Sequence, residues 1–73
     1  MFTLKIQDLQ GGFMEFNGIK KITYSNSIDT VSLEGDEIFN HEYPTCYNLH
    51  LYSDKSSYTV DKKNISIIEV IKE

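Results

Sequence analysis

The chain is 73 residues long, carries a net charge of −4 and contains a single cysteine, Cys46. A chain of this size forms one domain, read over residues 1–73, and a domain so small buries only roughly 60% of its unfolded surface. This excludes a catalytic domain beside a binding domain, and one thiol excludes both an internal disulfide and zinc-ribbon spacing.

Alanine, arginine and tryptophan are absent. Two of the best helix formers are therefore missing, whereas Ile, Val, Thr, Phe and Tyr supply 26 of the 73 residues, which tilts the composition to β structure. The lysine-only, isoleucine-rich usage resembles that of an AT-rich genome, such as a low-GC bacterium or its phages. Lysine offers only a mobile point charge where guanidinium offers a planar fork, so direct nucleic-acid reading is not expected. The start, Met1 to Ile6, alternates polar and apolar residues and lacks the basic-then-apolar plan of a signal peptide. No apolar run approaches the ~20 residues that cross a bilayer. These features read as a soluble, cytoplasmic protein with no membrane contact.

In chain order, Phe2, Leu4 and Ile6 alternate with Thr3, Lys5 and Gln7, the two-residue period of a half-buried strand. Gln10-Gly11-Gly12 ends it. Phe13 to Phe16 and Ile19 to Tyr24 flank Asn17-Gly18, a strong signal for a two-residue hairpin turn. That register sets Glu15 opposite Lys20, a favourable pair, but also sets Met14 opposite Lys21, so a bulge or longer loop stays open. A turn at Ser25-Asn26-Ser27 precedes a strand from Thr30 to Glu34 with Val31 and Leu33 on one face. Residues 34–42 read either as a second hairpin limb through Gly35-Asp36 or as one helical turn capped by Asp36 and ended before Pro44.

Tyr47, Leu49 and Leu51 alternate with Asn48, His50 and Tyr52. A loop at Ser53 to Ser56 leads to a strand through Tyr58 and Val60. Asp61-Lys62-Lys63-Asn64 turns the chain into Ile65 to Ile71, whose β-branched density favours a strand, although Asn64 as a cap before Ile65, Ile68 and Ile71 keeps a helix open. The fold class expected is mainly β: an antiparallel meander of five to six strands, as a curled sheet or SH3-like small barrel, with at most one short helical turn. Its last link and strand resemble the end of SH3-like and Sm-like barrels, without a diagnostic motif.

Charge is distributed unevenly. Residues 22–54 hold Asp29, Glu34, Asp36, Glu37, Glu42 and Asp54 with no lysine, a balance of −6 between flanks of +1 each. Such a band is either a solvated surface or an attractor for a basic partner; in a sharper form it imitates the phosphates of a nucleic acid.

His41, Cys46 and His50, with Glu42, are chemically suited to zinc, but H-x4-C-x3-H is not a recurring structural-site spacing, and His41 lies across Pro44 from the other two. No metal or cofactor is expected. A Cys46 nucleophile needs a cation or helix N-terminus to favour its thiolate, and its neighbourhood is acidic; Asp36 and Glu37, adjacent in sequence, point apart on extended chain. No catalytic residue is assigned. Tyr43, Tyr47, Tyr52 and Tyr58 fall close together, and tyrosine serves both strand packing and protein interfaces.

The resulting expectation is a non-enzymatic module that binds another protein, with a basic partner in view, or copies of itself as a homo-oligomer. The binding surface expected comprises Asn48, His50 and Tyr52, bordered by Glu34, Asp36, Glu37 and Glu42. The alternative is an acidic inhibitor that mimics nucleic acid.

Overall fold

A computed structural model describes residues 1–73. Seven strands form two antiparallel sheets: β1 (Phe2–Gln7), β2 (Phe13–Ile19), β3 (Lys21–Ser25), β4 (Thr30–Glu34), β5 (Leu49–Tyr52), β6 (Ser57–Val60) and β7 (Ile67–Lys72). One short helix, α1 (Asp36–Asn40), follows β4, and a 3-10 turn at Lys62–Asn64 follows β6. Sheet A has the order β2-β1-β7 and sheet B the order β4-β3-β5-β6.

The mainly β expectation holds, with seven strands where five or six were read. Alternation explains the core. Phe2, Leu4 and Ile6 on β1, Ile19 at the end of β2, and Ile22 and Tyr24 on β3 are buried, as are Leu33, Leu49, Leu51 and Val60 from the rest of sheet B. The intervening residues of these strands face outward, as a period of two requires.

Asn17-Gly18 does not turn the chain. The first hairpin closes instead at Asp8 to Gly12, where the Asp8 amide donates to the Gly12 carbonyl at 2.8 Å and the Asp8 carboxylate accepts from the amides of Gln10 and Gly12. Gly11 supplies the positive φ, 90°. Asn17 and Gly18 lie within β2, where the pairing jumps from Leu4 with Phe16 to Phe2 with Ile19. Gly18 uses its positive φ of 68° in this bulge, an alternative role for the same conformational freedom. Glu15 consequently faces Lys5, at 3.8 Å, while Lys20 pairs with Asp54 at 2.6 Å.

After the bulge the chain passes through Lys20 directly into β3, so one bent strand serves both sheets. The barrel of the sequence reading does not close, because β4 and β7 are both sheet edges. The seam between them is occupied by α1, which packs on both strands and inserts its one buried residue, Ile38. This resolves the ambiguity over residues 34–42 in favour of the helical turn, but with Gly35, at φ 61°, rather than Asp36 in the cap position. At the opposite seam Phe16 of β2 meets Tyr58 of β6, with ring centroids 4.9 Å apart.

The second half follows its periodicity closely. β5 and β6 pair around Ser53 to Ser56, although Tyr47 and Asn48 precede β5 instead of extending it. The final apolar run is a strand, not a helix: β7 pairs with β1 along its length, from Phe2 opposite Lys72 to Gln7 opposite Ile67. Ile65 is buried just before it. Glu73 then clasps sheet A: its Oε2 accepts from the Gly18 amide at 2.6 Å and from the Thr3 hydroxyl at 2.9 Å. The donated hydrogen bonds hold the Glu73 carboxyl below its usual range, the Gly18 amide contributing most.

Candidate functional site

The seven residues singled out in the sequence divide among three places. Glu34 ends β4, and Asp36 and Glu37 occupy the first turn of α1, all three exposed. His50 and Tyr52 lie on the outer face of sheet B, since their neighbours Leu49 and Leu51 point into the core. Antiparallel pairing mixes charges that are segregated in sequence: Lys21 on β3 sits opposite Glu34 on one side and Tyr52 on the other. Its Nζ lies 5.8 Å from the Tyr52 ring centroid. Asp54 is engaged by Lys20, whose hydrogen bond and charge hold its carboxyl below the usual range. The acidic band of the sequence is thus broken by lysines in space.

The Asn48 carboxamide oxygen accepts from the Lys62 amide at 2.8 Å, and His50 Nδ1 lies 3.2 Å from the Thr59 hydroxyl. Asn48 and His50 line a pocket of about 260 Å³ with Ser25, Cys46 and Lys62. His41 is elsewhere: its Nε2 lies 2.7 Å from the Tyr24 hydroxyl, and its ring packs edge-on against Tyr43. No three side chains of the metal-ligating type converge.

The larger concavity lies beside β7. An open groove of about 530 Å³ runs between Ile67, Ile68 and Val70 on one side and Phe39, His41 and Tyr43 on the other, with Glu42 at its lining. The second wall is built by aromatic packing. Tyr24, anchored on β3, stacks on Tyr47 with 12° between the rings and holds His41; Tyr43 donates its hydroxyl to the Ile38 carbonyl at 2.7 Å. Burial, and next the neighbouring Tyr24, push the Tyr43 phenol well above its usual range. Burial chiefly, then Tyr47 and Cys46, push Tyr24 up as well. Both phenols therefore remain neutral hydrogen-bonding groups across the physiological range. Lys72 holds its Nζ 4.4 Å from the centroid of the Phe39 ring, a residue of the groove wall.

The backbone of β7 makes this groove chemically specific. The Glu73 amide donates to the Met1 carbonyl, which places the bonded pairs of the β1 and β7 ladder at odd positions of β7, because bonded and non-bonded pairs alternate in an antiparallel ladder. The amides and carbonyls of Ile68, Val70 and Lys72 consequently point away from β1. No strand pairs with that edge; α1 packs on β7, with Phe39 under the Lys72 ammonium, and the groove borders the edge at Ile68 and Val70.

Three other edges exist, and each is interrupted or short. β2 carries the Asn17-Gly18 bulge, β6 has four residues and β4 five, whereas β7 has six, with four apolar β-branched side chains. Interruptions of that kind discourage strand pairing and a long apolar edge invites it. Of the seven binding residues expected from sequence, Glu42 alone borders the groove. Tyr43 was among the tyrosines raised as interface residues, whereas Phe39, Ile68 and Val70 were not foreseen; the available signal was the β-branched density of the run from Ile65 to Ile71. No family model, no curated protein and no solved structure matches this chain.

Proposed function

We propose that this protein is a non-enzymatic protein-binding module whose docking surface is the free edge of β7 and the groove beside it. The observation that carries the reading is the pair of strand positions Ile68 and Val70, whose backbone groups have no strand partner and which line a concavity walled by Phe39, His41 and Tyr43. Strand addition to an open edge supplies affinity through main-chain hydrogen bonds and specificity through pockets for alternate side chains. The polar groups of Asn48 and His50 are engaged within the molecule, so the reading centres on β7 and keeps Glu42 from the residues first singled out. The exposed free thiol of Cys46 favours a reducing compartment such as the cytoplasm. The alternative, a mimic of nucleic acid, draws support only from the cluster of Glu34, Asp36 and Glu37.

The test is site-specific photocrosslinking in cells that produce the protein, with benzoylphenylalanine in place of Ile67 beside the groove or of Thr59 on β6. A discrete protein adduct from position 67, identified by mass spectrometry and absent from position 59, is expected. Equal labelling from both positions, or none from position 67, overturns the reading.

A further inference from the structure

We infer that the occupant of the groove is an extended segment of a partner protein with an apolar-basic-apolar core, added to β7 as a fourth strand of sheet A. The inference rests on the docking surface proposed above and names the chemistry of what docks there. A strand paired with Ile68 and Val70 turns the side chains opposite them into the groove, because cross-strand neighbours share a face. The groove offers Phe39, His41 and Tyr43 to those side chains, so they are apolar. The residue between them lies beside Glu69, on the outer face.

The charges at the edge select that middle residue. Glu69 and Glu42 flank the edge on its two sides and belong to neither ion pair of the molecule, which are Lys5 with Glu15 and Lys20 with Asp54. Lys5 sits opposite Glu69 across the ladder but directs its Nζ to Glu15. Lys72, the lysine of β7, is held over the Phe39 ring. A lysine or arginine opposite Glu69 therefore meets uncompensated negative charge, and a carboxylate there meets repulsion.

A second copy of the chain fits this edge less well: a register about Ile68 pairs only residues 67–69 of each strand, because β7 begins at Ile67, and the longer registers are unfavourable. Two β7 strands paired about Val70 place Lys72 of each copy opposite Ile68 of the other, an ammonium at the apolar wall. Pairing about Glu69 sets two carboxylates opposite one another, and pairing about Ile71 sets Glu69 opposite Glu73. Like charges directly opposite oppose pairing.

The experiment titrates the full, isotope-labelled protein with the acetylated and amidated peptide Ser-Thr-Ile-Lys-Ile-Thr-Ser, with the same peptide carrying Glu for Lys, and with the Lys peptide N-methylated at alternate amides. The expected result is a saturable shift, with slowed exchange, of the Ile68, Val70 and Lys72 amides. The Glu peptide binds roughly fivefold to tenfold more weakly, the range that a reversed cross-strand charge pair supplies, and the methylated peptide does not bind. Equal binding of the Lys and Glu peptides overturns the assigned partner chemistry and leaves the docking surface standing. Shifts of these amides on concentrating the protein alone, with no response to peptide, make a second copy the occupant and also overturn it. Silence of these amides in every titration, together with no crosslink from position 67, removes the inference and the docking surface alike.

Discussion

Proline placed at successive positions of β7 separates its two edges. Val70→Pro removes an amide hydrogen that points out of the sheet; Ile71→Pro removes one that, by the alternation fixed at Glu73 and Met1, donates to the Thr3 carbonyl. Proline is tolerated in a sheet only where its missing N–H faces away from the ladder. Its ring retains most of the volume of Val70, which is only partly buried against the core, and the residue before it is already extended, as proline demands. Val70→Pro should cost about 1 kcal/mol, from the tightened φ. Ile71→Pro loses a ladder bond worth about 1 kcal/mol and leaves the Thr3 carbonyl unsatisfied, for another 1–3 kcal/mol. A domain of this size has a margin of about 3–5 kcal/mol, so the first variant keeps most of its stability and the second loses most of it. In thermal melts followed by circular dichroism, Val70→Pro should lower the midpoint by about 4–8 °C, and Ile71→Pro should lower it by about 8–30 °C. Equal losses in the two variants would refute the reasoning, because the Val70 amide would then be in use inside the molecule. The docking surface would lose its central donor with it.

Three further outcomes are expected. Ile38→Ala withdraws the only buried side chain of α1 and should cost about 2–4 kcal/mol; a loss below about 1 kcal/mol in urea titrations would show that α1 does not anchor the seam. Gly18→Ala meets no atom within 4 Å of the new Cβ but must adopt φ 68°, so a backbone cost of about 1–2 kcal/mol is expected; a fully neutral substitution would argue that the bulge relaxes into another conformation. The carboxyls of Glu73 and Asp54 have folded values below their ordinary 4.5 and 3.8, so the stability they contribute is present above those values and is lost as pH falls through the lowered ones. Glu73→Gln should therefore flatten the acid limb of the stability profile below about pH 4.5; an unchanged acid limb would show that the clasp on Gly18 and Thr3 carries no linkage.

Local pattern carried the sequence reading where one face of a strand is buried. Phe2, Leu4 and Ile6, then Leu49 and Leu51, could hardly occupy any other face, and the loop from Ser53 to Ser56 lies where β5 and β6 require it. The reading failed where a residue's conformational licence had two uses. Asn-Gly permits a positive φ, but whether that freedom makes a turn or a bulge depends on which strand lies alongside. β1 does lie alongside here, because Asp8 has already turned the chain with its own carboxylate. The misfit of Met14 opposite Lys21 was the trace of this in the sequence. The candidate site was less legible still, since an edge is a property of strand order, and strand order joins residues at the two ends of the chain. Charge was misleading for the same reason: Lys20 and Lys21, outside the acidic stretch in sequence, are delivered into it by the pairing of β3 with β5.

The hydrogen bond from the Glu73 amide to the Met1 carbonyl sets the mechanical character of the molecule. Met1 precedes β1 and Glu73 follows β7, so the two residues sit side by side at one corner, and tension applied between them acts on the last rung of the ladder alone. Rungs then part in succession, as in a zipper, rather than resisting together in shear. Fused or tethered by both ends, the domain would yield to small loads by peeling β7 from β1, and it would give way along the strand whose free edge it offers for docking.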